Sequence, residues 1–176
     1  MKAFGSPNEE KERCMNETKH VLSVLVENKS GVLSRVVGLI SRRGFNIDSL
    51  SVGPTEDPTR SRITIIVEAD EGAYEQIVKQ LNKLVCVYKL QDLTNDAYIE
   101  RELVLFKVTA PPERRSEVVE IASLFRANIV DVGATSLTIE ATGSQSKLEG
   151  MEALLQAYGI KEITRTGKIA ISRNSK

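Results

Sequence analysis

The chain of 176 residues sets 24 Lys and Arg against 24 Asp and Glu, so its formal net charge is zero with the single histidine neutral. That balance excludes the strong basic field of a bulk nucleic-acid or membrane-surface binder. A hydrophobic content of 41% with 27% charged residues is that of a globular protein, and Cys14 and Cys86, in separate segments without a CxxC pair, exclude a zinc knuckle or a disulfide scaffold.

No apolar run approaches the ~20 residues of a membrane-spanning helix. Residues 1–18 are polar and aperiodic and read as a disordered leader, with Met15 a candidate natural start. Residues 20–26, HVLSVLV, form a β-branched run of strand length. Its two sides are both apolar, Val21 and Leu25 on one and Leu22, Val24 and Val26 on the other, so both call for cover, which self-association would supply; the alternative is that an antiparallel sheet tolerates some exposed apolar residues. The loop ENKSG at 27–31 precedes a helix whose stripe is Val32, Val36, Leu39 and Ile40. Ser30 or Asn28 is the expected side-chain cap, and Gly31 lacks the Cβ that would hold a ligand off the backbone.

Arg42, Arg43 and Gly44 close this helix. Residues 46–52 read as a strand whose apolar phase slips at Ile47, the mark of a bulge or an edge position. Residues 53–61, with two prolines, read as a long hairpin loop, and 62–68 as a β-branched strand. Asp70 is the expected N-cap of a helix burying Ala73, Ile77, Leu81 and Leu84. Residues 85–90 supply a fourth strand. This order, β-α-β-β-α-β, is that of a ferredoxin-like α+β fold.

After a polar linker the order repeats. Residues 102–108 are a strand, 113–125 a helix, and 128–132 and 137–141 strands around a Gly133 turn. Ser146 and Glu149 form the expected capping box of a helix bearing Leu148, Met151, Leu155 and Tyr158, and 160–173 give one or two last strands. The expected division is a leader at 1–18, a first domain at 19–94, a linker at 95–101, a second domain at 102–173 and a tail at 174–176, two ferredoxin-like domains in tandem.

Catalysis has little to work with. His20 has no companion base and opens a strand, where a partly exposed structural role is expected. No metal-ligand spacing appears. Thr166-Gly167-Lys168 lacks the upstream glycine of a phosphate loop and reads as a hairpin turn. The central strands carry none of the stacking aromatics that an RNA-binding sheet needs. A small zwitterion is better supplied: helix N–H groups after the 27–31 loop for a carboxylate, the amide oxygens of Asn28 and Asn46 for an ammonium, and Val32, Leu33 and Ile47 for an aliphatic side chain. The plainer alternative is a capped turn.

The string LSVLVENKSGVLSRVVGLISRRGFNIDSLSVGPTEDPTRSRITI closely resembles the N-terminal ACT domain of the regulatory (small) subunits of acetolactate synthase, also called acetohydroxyacid synthase. EQIVKQLNKLV, ERELVLFKV, FRANIVDV and IKEITRTGKIAISR look like the rest of such subunits, so the resemblance covers nearly the whole chain beyond the leader. It implies a non-catalytic subunit that activates a thiamine-diphosphate-dependent catalytic subunit and confers feedback inhibition by branched-chain amino acids, chiefly valine. It further implies a homodimer of ACT domains with the effector between protomers. The residues it assigns to the effector are Asn28, Gly31, Val32 and Leu33 from ENKSGVL and Asn46 and Ile47 from GFNI, with Lys29 and Ser30 the more variable members. No cofactor is expected in this chain; thiamine diphosphate, Mg and FAD belong to the catalytic partner. A bacterial cytoplasm or a plastid stroma is the expected location, with no nucleic acid and no membrane as partner. The alternative reading is a free-standing ACT-domain amino-acid sensor acting on a different client protein.

Overall fold

The structure, a computed structural model, describes residues 18–173. The expected leader, Thr18 apart, and the tail at 174–176 lie outside the described residues. Contacts divide the chain into two units, one running to Tyr98 and taking in the residues from Ala170 onward, the other Ile99–Ile169.

The first unit contains β1 (Thr18–Glu27), α1 (Val32–Ser41), β2 (Ile47–Pro54), β3 (Arg60–Ala69), α2 (Glu71–Leu81) and β4 (Val87–Asp92). Its sheet runs β2-β3-β1-β4, antiparallel throughout. The alternation of the strands decides what is buried. Leu22, Val24 and Val26 of β1 and Ile63, Ile65 and Val67 of β3 share one face with Val36 and Ile40 of α1 and Ile77 and Leu81 of α2. All are at most 2% exposed, each worth about 1.5–3 kcal/mol of transfer free energy.

The other face of β1 differs from the sequence expectation. Val21 and Ile66 are covered by Leu93 and Ala170, with Tyr98 packed against them, all from this same unit. Ser23 further along is buried and accepts a hydrogen bond from Arg62 Nη1 at 3.1 Å. The second apolar face therefore finds part of its cover within one chain and does not by itself require a second copy.

β2 is an edge strand, and its register shifts between Ile47 and Ser49, the two causes foreseen for the slipped phase. The hairpin after it is shorter than the sequence indicates. Pairing persists to Pro54 and resumes at Arg60, with Thr55 N–H donating to the Arg60 carbonyl at 3.1 Å. Asp70 caps α2, its carboxylate accepting from Ala73 N–H at 2.8 Å. His20 is not half-exposed: it is 3% accessible, its ring stacked on Tyr74 at 3.7 Å and 9°.

The second unit contains β5 (Tyr98–Thr109, beginning at the boundary), α3 (Arg115–Leu124), β6 (Asn128–Val132), β7 (Ser136–Gly143), α4 (Gln145–Gln156) and β8 (Ile160–Arg165), in the order β6-β7-β5-β8. Val104, Phe106, Val108, Leu137 and Ile139 pack on Val118, Ala122, Leu148, Met151 and Leu155. The capping box expected at Ser146 does not form. α4 starts two residues earlier, after Ser144, and Glu149 accepts from Gln145 Nε2 at 2.6 Å instead. Nor is 166–168 a hairpin turn, since β8 pairs with β5 and not with β9 (Ile169–Ser172). By contacts the residues from Ala170 group with the first unit, and β5 begins at Tyr98, inside the stretch read as the 95–101 linker. No helix among the described residues is long and apolar enough to cross a membrane.

Candidate functional site

The loop between β1 and α1 sits at one end of the first sheet, where Val26 lies opposite Ser61 and Glu27 opposite Arg60. Gly31 occupies the N-cap with φ +82° and ψ −9°, a left-handed conformation that glycine adopts without penalty. That conformation turns the chain so sharply that neither Ser30 nor Asn28 reaches the helix: α1 has no side-chain cap and no acidic residue in its first turn. The capping expectation fails for both. An uncapped helix start keeps unpaired N–H groups and the positive end of the dipole at its mouth, the chemistry that receives a carboxylate.

Asn28 is instead tied to the β2–β3 hairpin. Its backbone N–H donates to the Thr59 carbonyl at 2.8 Å and its Nδ2 to the Pro58 carbonyl at 2.9 Å. Lys29 pairs with Glu27, and the hydrogen bond and charge of that carboxylate hold the ammonium above its ordinary pKa, so Lys29 is cationic but already partnered. Ser30 is exposed. Val32 points inward and is 5% accessible, part of the core, whereas Leu33 is 37% accessible. Asn28, Lys29, Val32 and Leu33, with Val52 and Ile63, line a hollow of about 70 Å³, far under the ~300 Å³ at which ligand pockets begin.

Asn46 and Ile47 are not beside this loop. Ile47 lies opposite Val67 of β3, while Val26 lies opposite Ser61. Six residues of strand at about 3.3 Å each put the two stretches roughly 20 Å apart within one chain. Asn46 is exposed, its Nδ2 donating to Asp48 Oδ1 at 3.1 Å, and Ile47 packs half-buried on the core. A larger hollow of about 610 Å³ adjoins that end, between Arg43 and Phe45 after α1 and Asp70 and Gln76 of α2. The predicted residues thus form two separate groups on one chain. Pro58, Thr59 and Val52 were missed; the register of β1 against β3 and the proline in DPTR were the signals for them. Among the described residues no cluster of His, Cys, Asp and Glu could hold a metal.

The family pattern described as AHAS small subunit-like ACT domain matches residues 22–89, and that described as small subunit of acetolactate synthase matches residues 101–174. The chain belongs to the acetolactate synthase small-subunit family. A probable acetolactate synthase small subunit of Archaeoglobus fulgidus is 53% identical over 158 residues, which cover 90% of this chain and 99% of that one. The Mycobacterium bovis acetolactate synthase small subunit is 52% identical over 159 residues, 90% of this chain and 95% of its own. The crystal structure of the small subunit from Thermotoga maritima is 40% identical and superposes with a TM-score of 0.82, covering 90% of this chain and 99% of that one. Membership in the small-subunit family makes this a regulatory chain and its first unit an ACT domain.

Proposed function

We propose that the chain activates the catalytic subunit of acetolactate synthase and makes it sensitive to feedback inhibition by valine, bound between two copies of the chain. One observation carries the shared site: the two residue groups stand at opposite ends of the first sheet, and β2, which borders both, is an open edge. Two such edges paired antiparallel about a two-fold axis bring the Ile47 end of one strand to the Pro54 end of the other. Asn46 and Ile47 of one copy then face the 28–33 loop of its partner, and the 70 Å³ hollow becomes half of a closed site. The uncapped head of α1 receives the valine carboxylate, the Asn28 and Asn46 oxygens receive the ammonium, and Leu33 and Ile47 border the isopropyl group.

On this reading thiamine diphosphate, Mg and FAD reside in the catalytic partner, and the pair works in the cytoplasm, in keeping with bacterial and archaeal relatives. Acetolactate formation by the reconstituted complex over a valine titration is the test. The proposal expects activation by the wild-type chain and progressive loss of it with valine. A complex whose rate is independent of this chain contradicts it, and supports a free-standing sensor with another client.

A further inference from the structure

The Asn28 side chain meets a carbonyl, Pro58 O, at 2.9 Å. A carbonyl only accepts, so the atom facing it is the amide nitrogen and the amide oxygen is turned the other way. What holds Pro58 and Thr59 in place is Asp57. Its Oδ1 accepts from Thr59 N–H at 2.9 Å and from Thr59 Oγ1 at 2.6 Å, and its Oδ2 pairs with Arg60 Nε at 3.0 Å. Thr55 closes the turn from the other side, its Oγ1 donating to the Asp57 carbonyl at 3.1 Å. The Arg60 guanidinium in turn lies over the Tyr88 ring of β4, 5.2 Å from its centre. The hairpin is therefore a braced structure whose two carbonyls both point at Asn28.

We infer that Asp57 is the positioning residue of the effector site: through the Pro58 and Thr59 carbonyls it fixes the Asn28 amide oxygen outward as an acceptor, and so selects ligands that carry an ammonium group. This rests on the functional reading above. Without the brace the Asn28 amide is free to rotate, and an outward-turned Nδ2 would meet an ammonium with a donor where it needs an acceptor. The Thr59 hydroxyl first, then its N–H and the Arg60 charge, hold the Asp57 carboxyl below its ordinary range, so the brace is ionised at neutral pH.

The test is calorimetry on the full chain with two probes, valine and 3-methylbutanoate, its analogue without the amine. Asp57→Ala is expected to weaken valine binding by about tenfold while leaving the weak affinity for 3-methylbutanoate unchanged. In an Asn28→Ala background Asp57→Ala should have no further effect, the signature of two residues acting as one unit. Asp57→Asn, which keeps an oxygen for Thr59, should regain most of the valine affinity. Unchanged valine affinity in Asp57→Ala, an equal loss for both probes, or an undiminished loss in the Asn28→Ala background would overturn the inference while leaving the functional reading intact. A wild-type chain that binds no valine overturns both.

Discussion

Gly31 has no neighbour within 4 Å of where a Cβ would stand, so its constraint is conformational and not one of space. Any other residue must hold φ near +82° there, at about 1–2 kcal/mol for most side chains and less for Asn or Asp. Gly31→Asn and Gly31→Asp should therefore unfold at similar temperatures, a few degrees below wild type. They should part in function, because only the aspartate sets a negative charge where the ligand carboxylate is expected. Gly31→Asp losing valine inhibition that Gly31→Asn retains in part is the expected result; equal and wild-type inhibition in both would reduce the loop to a turn. A second residue-scale expectation concerns Tyr74, whose hydroxyl is pushed well above its ordinary pKa, first by burial and then by Asp92. A raised pKa leaves its stability contribution intact below pH 10.0 and removes it as the pH rises beyond. Tyr74→Phe should flatten the alkaline loss of stability, read as melting temperature against pH; an unchanged slope would assign the loss elsewhere.

At the scale of elements, β2 is the piece on which assembly turns. Val52 near its end is 49% exposed on an open edge, and a lysine there is the standard obstacle to edge pairing. Val52→Lys should shift the chain toward monomer in sedimentation equilibrium and weaken valine binding in parallel. A dimer of undiminished strength would exclude β2 as the contact. The elements themselves were largely legible, because the 3.6-residue stripe of Val32, Val36, Leu39 and Ile40 and the β-branched run at 62–68 are periodic signals. Even the bulge at Ile47 was legible, as a break in alternation. The caps were not. A serine before a helix satisfies a propensity rule, but the left-handed Gly31 aims Ser30 away, and α4 has its N-cap at Ser144, two residues before the expected Ser146. The site was half legible for a similar reason. Sequence names the residues of the 28–33 loop, while the tie from Asn28 to Pro58 spans thirty positions and follows only from strand register.

At the scale of the whole molecule, residues from the far end of the chain complete the first unit. Ala170 is 6% accessible beside Val21, Ile66 and Leu93. Ala170→Asp, which puts a carboxylate into that cluster, should destabilise the protein by at least ~2 kcal/mol in denaturant unfolding; a neutral effect would mean the cluster is not part of the folded core. For the same reason a fragment ending near residue 95 should be less stable than the same unit in the full chain. The central claim, that two copies build each valine site, is tested most directly by mixing variants. Asn28→Ala and Asn46→Ala each remove one group from every site of their own homodimer, so each alone should bind valine weakly. When the two are unfolded together and refolded as mixed dimers, one site per mixed dimer regains Asn28 from one copy and Asn46 from the other. Calorimetry should then recover a fraction of sites with wild-type valine affinity. If the mixture binds no better than its two parents, the residues do not meet across copies, and the shared site is contradicted.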